Sequence, residues 1–125
     1  MVLRLKNIEV VPHEEWVAYY HRLHHSKDRN EFVPPVIIDD DVIKTSLKKK
    51  HLEWISLVIL HEQTEMKFRN KGLSYEKAHH IATKTEMKFA KKHHINWKEY
   101  MKMVNWIYRK EKIHRRSSKI FLDKY

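Results

Sequence analysis

Hydrophobic positions along the first third of the chain come in short β-branched runs, and beyond it they recur at helical spacing. Residues 2–11 alternate loosely between aliphatic and polar types and read as a strand that Pro12 ends. Trp16, Tyr19, Tyr20 and Leu23 share one side of a predicted helix over 13–26, followed by a polar loop at 27–30. Residues 32–39 read as a second short strand entered through Pro34 and Pro35, where a missing N–H disturbs no central ladder bond. Asp39, Asp40 and Asp41 break that pattern. The stretch 42–50 is ambiguous, and its Lys48-Lys49-Lys50 run is expected to be solvated.

Three longer helices are predicted after that. The first covers 49–70, with Gly72 as its C-terminal cap. Ser74 can cap the next, over 75–92, and Asn96 the last, over 97–112. Trp97, Tyr100, Met101, Val104, Ile107 and Tyr108 form the apolar stripe of the last helix and are core positions; Trp106 lies off it. About four helices with one or two short N-terminal strands make an α+β, mostly helical fold.

A chain of 125 residues fits one domain, here a helical core over 48–108 with a basic tail over 109–125. Hydrophobic residues are 42% of it, enough for a packed core, and a single glycine argues against phosphate loops and turn-dense β folds. Cysteine is absent, which removes disulfides, thiolate ligands and cysteine nucleophiles. Ser117 and Ser118 have no nucleophile-elbow context. No apolar run reaches membrane-span length and no signal-peptide segment is visible, so a cytoplasmic location without membrane contact is expected. The net charge of +10 favours encounter with polyanions, and Arg109, Lys110, Lys112, Arg115 and Arg116 are the candidate nucleic-acid contacts.

The chemistry concentrates in the middle helices. Trp54, Val58, His61, Glu65 and Phe68 share one face of the 49–70 helix. Tyr75, Ala78, Ala82, Glu86 and Phe89 share one face of the 75–92 helix, with His79 beside Ala78. The pentapeptide Thr64-Glu65-Met66-Lys67-Phe68 recurs letter for letter at 85–89, too short for a duplication. A short connection implies antiparallel packing, which brings the two His/Glu pairs together. Buried carboxylates then need hydrogen bonds, cations or a metal. His61 and Glu65, four residues apart, can reach one ion from one helix face.

The string H-E-x-x-E at 61–65 differs from the metallopeptidase H-E-x-x-H by a carboxylate in place of the second histidine. Metal ligands would be His61, Glu65 and His79, with Glu86 next, and Glu62 stands where such enzymes keep their general base. Zinc suits the set, with manganese or iron as alternatives given the carboxylates. The competing reading is a hydrogen-bonded core network holding no metal.

Residues 72–86, G-L-S-Y-E-K-A-H-H-I-A-T-K-T-E, follow the H-E-x-x-E helix. Together they resemble small zincin-like metallopeptidase-type domains of phages and mobile elements, over about 36–100. The resemblance implies metal binding first, with His61, Glu65 and His79 as ligands and Glu86 as a ligand or its support, and second a peptidase acting on a protein substrate with Glu62 as base. Two further readings stand beside it: a basic nucleic-acid-binding module, and a phage structural or accessory component with a structural cluster.

Overall fold

The computed structural model describes residues 7–109, with side chains to 108. Strand β1 (Ile8–Val11) leads through Pro12 into helix α1 (His13–His25), and β2 (Val36–Asp39) returns parallel to β1. A 3₁₀ turn, Arg29–Glu31, overlaps the polar loop expected at 27–30 and is started by the Asp28 carboxylate accepting from Asn30 N at 3.0 Å. Helices α2 (Asp40–Lys48), α3 (Glu53–Asn70), α4 (Tyr75–Lys92) and α5 (Trp97–Arg109) follow. The fold is α+β and mostly helical, with five α-helices among the described residues rather than about four.

The fifth helix comes from the ambiguous stretch. Asp39 caps α2 by accepting from Asp41 N at 2.8 Å, so the acidic triplet begins a helix as well as ending a strand. The predicted 49–70 helix accordingly starts later, at Glu53. Lys50 ends α2 in the left-handed region, φ 60°, with His51 N on Ser46 O and Lys50 N on Leu47 O. This is the bond pattern that glycine usually closes. Gly72, φ 99°, closes α3 in the same way, and His94, φ 56°, closes α4. Only one of the three terminations carries the residue that signals it. The second strand is also shorter than its apolar run, covering 36–39 of 32–39.

Strand β2 sits at the centre, with its Ile38 inaccessible and Val42 of α2, Leu57 of α3 and Ile107 of α5 equally enclosed. Tyr100, Met101, Val104, Ile107 and Tyr108 of the α5 stripe are buried as their spacing predicts, Trp97 is half-buried, and Trp106 is 58% exposed. α4 contributes small residues, Ala78, Ala82 and Ala90, all enclosed. Small side chains let α3 approach α4 closely, and that approach sets the candidate site. Among the described residues no helix is long and apolar enough to cross a membrane.

Candidate metal centre

Contacts between α3 and α4 run in opposite sense: Glu65 meets His79, and His61, one turn earlier, reaches Glu86 further along α4. The antiparallel pairing therefore forms, and it gathers all four predicted ligands. Glu65 Oε2 lies 3.0 Å from His61 Nε2 and 3.1 Å from His79 Nδ1. Glu86 Oε1 takes the other nitrogen of His61, Nδ1, at 2.8 Å. The two imidazoles stand edge to face, 4.8 Å between ring centroids. Their neighbour Tyr75 stacks on His79 at 5.3 Å.

The repeated pentapeptide explains this arrangement. Its two copies place Glu65 and Glu86 on opposite sides of one imidazole, so His61 is clamped between identical segments. The repeated threonines also act alike: Thr64 and Thr85 each donate back to the carbonyl four residues earlier, at 2.7 and 2.9 Å. Those back-bonds keep the hydroxyls away from the cluster.

One ligand atom each from His61, Glu65 and His79 lies within 4.8 Å of the other two. Glu86 falls outside that triangle: it holds the far nitrogen of His61 and leaves Nε2 facing Glu65. Carboxylates in this position fix the tautomer and orientation of metal-ligating histidines. Glu86 Oε2 is buried with no hydrogen-bond partner within 3.5 Å among the described residues. The Glu86 carboxylate also helps burial push the Tyr100 hydroxyl well above its ordinary value.

A cavity of about 30 Å³ opens on the cluster, lined by His61, Glu62, Glu65, His79 and Glu86 beneath Trp16 and Tyr108. Trp16 stacks on Tyr108 at 5.1 Å and on Tyr20 at 5.3 Å, while Tyr20 donates to the Tyr75 hydroxyl at 2.9 Å. α1 and α5 thus roof the site with rings. One water needs roughly 10–15 Å³ measured this way, so the space matches an ion with a water rather than a peptide.

Electrostatics follow from three carboxylates in an enclosed place. Burial alone would strip the proton from His61, but the charge of Glu86 and hydrogen bonds to Glu65 and Glu86 hold it well above 6.5. Burial opposes ionisation of Glu65 too, yet bonds from His61 and His79 carry it down to about 2. Glu62 has no such donor. Burial and the neighbouring Glu65 charge push it up to about 8, so it is largely protonated at neutral pH. His79 is lowered, chiefly by burial. Protons on His61 and Glu62 thus offset part of the negative charge of the three carboxyl groups.

The structure also places residues that periodicity did not single out. His13, the first residue of α1, bonds Asp39 Oδ2 at 2.6 Å, with Asp41 3.7 Å away. These three are close enough to hold an ion. However, both oxygens of Asp39 are already engaged, one by His13 and one by the α2 cap. The register pairing Val11 with Asp39 across the parallel strands creates this contact. Arg69 is buried beside half-buried Phe68, which was expected on the core face. Its guanidinium donates to Leu23 O at 3.2 Å and Ser26 O at 2.8 Å and lies 4.3 Å over the Phe32 ring. Of the basic-tail residues, Lys110, Lys112, Arg115 and Arg116 lie outside the described residues, and Arg109 is described only as the last residue of α5.

No family model, curated protein or solved structure matches the chain. The functional reading therefore rests on the site itself.

Proposed function

We propose that this chain is a divalent-metal-binding domain, zinc first, that activates water for hydrolysis. His61 Nε2, Glu65 and His79 Nδ1 hold the ion, and Glu62 serves as general base. The observation that carries the reading is the triangle of ligand atoms in a water-sized cavity, with a carboxylate behind one ligand. Two histidines, one carboxylate and an open fourth position form the ligand set of many catalytic zinc sites. In a tetrahedral site with bonds near 2.05 Å, neighbouring ligand atoms lie about 3.3 Å apart. The 3.0 and 3.1 Å separations on Glu65 need only a few tenths of an ångström to reach that.

A bound zinc ion lowers the pKa of its water toward neutrality. Nearby positive charge would also ionise Glu62, which lines the same cavity and could then accept the water's proton. The same ligand set serves iron(II) oxygenases, so metal identity is part of the test. The resemblance to peptidase-type domains suggests an amide substrate, although a peptide would have to displace the aromatic roof.

The test is elemental analysis of untagged protein purified without chelator, beside His61→Ala. Near-stoichiometric metal that the variant loses supports the site. Wild type without metal after zinc, manganese and iron(II) reconstitution would leave the cluster as a core network. Given metal, Glu62→Gln should keep the ion and lose hydrolysis; full activity in that variant would remove the proposed base.

A further inference from the structure

On the other side of Tyr75 from the metal centre lies a groove of about 380 Å³, between the end of α1, the 3₁₀ turn and the α3–α4 connection. Its volume is within the range of small-molecule sites. Lys27, Arg29 and Arg69 line it together with His24 and His25, and no acidic residue does. Asp28, between Lys27 and Arg29 in sequence, does not line it and accepts from Asn30 N through Oδ1.

The cations have separate jobs. Arg69 is committed to two backbone carbonyls and Phe32, so it adds positive charge to the wall without offering itself as a ligand. Arg29 is anchored through Nε, which donates to Asn70 O at 2.6 Å, while Asn70 Nδ2 donates back to Arg29 O at 3.1 Å. Its side chain runs over Gly72, where a β-carbon would sit 3.9 Å from Cδ. The Nη groups of Arg29 and the ammonium of Lys27 make no hydrogen bond or ion pair among the described residues. A guanidinium tethered by Nε keeps its outer fork for an oxyanion and loses little entropy on binding. The groove also takes in Ser74 and Tyr75, the cap and first residue of the 18-residue α4, whose N-terminal end favours negative charge.

We propose that this groove binds the phosphate group of a phosphate-bearing ligand, held between Lys27 and the Arg29 fork at the start of α4. The site is independent of the metal reading, since its donors belong to different residues. Free phosphorylated molecules and single-stranded nucleic acid would present the same chemistry.

Pyrophosphate titrated calorimetrically into the full chain, in chelator and at two salt concentrations, tests this. Saturable one-to-one binding is expected, weakened about tenfold by Arg29→Glu or Lys27→Glu. The same charge change at Lys91, 16 residues along α4 from Tyr75 and so about 24 Å away, should leave it within twofold. All three positions are exposed, and circular dichroism would verify that the variants fold. No saturable binding, or equal weakening by all three variants, would overturn the proposal. Competition then separates the sources: displacement by a short oligonucleotide and not by a mononucleotide identifies nucleic acid as the ligand of this groove. The reverse identifies a small phosphoester.

Discussion

The protonated carboxyl at Glu62 makes a quantitative demand on the metal-free protein. In the unfolded chain the group releases its proton near 4.5, whereas in the fold it holds it to about 8. Between those values the native state binds one more proton than the unfolded state, so this group makes stability fall as pH rises. Each pH unit is worth about 1.4 kcal/mol, which gives roughly 2–3 kcal/mol between pH 5.5 and 7.5. His61, also raised, adds a fall of the same sign above 6.5, while His79, lowered, acts oppositely below it. Glutamine cannot titrate, so the difference between wild type and Glu62→Gln carries the pH dependence that this carboxyl brings, its coupling to Glu65 included. Urea unfolding in chelator at pH 5.5, 6.5 and 7.5 supplies the comparison. Wild type should lose roughly 2–3 kcal/mol relative to the variant across that window. A difference that stays flat, or grows in favour of wild type, would refute the assignment of a protonated Glu62 and the charge balance built on it. Saturating zinc should shrink the wild-type loss, because a cation in the cavity favours the ionised carboxyl at every pH.

Glu86→Gln should leave zinc bound but about 10- to 100-fold more weakly, because the amide holds His61 Nδ1 less strongly than a carboxylate; competition with a chromophoric chelator measures it. His13→Ala strips Asp39, only 1% exposed, of its partner and should cost about 3 kcal/mol in urea unfolding. An unchanged midpoint would mean that the Asp39 cap bond and solvent suffice. Lys50→Gly relieves a left-handed side-chain residue, φ 60°, and should stabilise by about 0.5–1 kcal/mol; destabilisation would refute that backbone assignment.

Helical phase was legible throughout the second half of the chain because it depends on neighbours three and four residues away. Trp54, Val58 and His61 on α3, and Ala78, Ala82 and Glu86 on α4, lie buried on the faces their spacing assigns. The short loop closed by Gly72 made their antiparallel meeting readable as well. The α2–α3 boundary was not, since Lys50 adopts a left-handed conformation that a lysine side chain does not advertise. Nor could spacing divide the labour between the two repeated glutamates: Glu65 faces the ligand triangle and Glu86 backs His61 because of the relative height of two helices.

By itself, then, the chain's pattern determined the four longer helices, their buried faces and a His/Glu cluster between α3 and α4. Tertiary structure alone decided which oxygen meets which nitrogen, the aromatic roof from α1 and α5, and the His13–Asp39 pair across parallel strands. It also decided the acid-free groove that joins Lys27 and Arg29 to Gly72 and Ser74. The reason is separation along the chain. A helical period acts over one or two turns, whereas Arg29 and Asn70 stand 41 residues apart and meet only when the core closes.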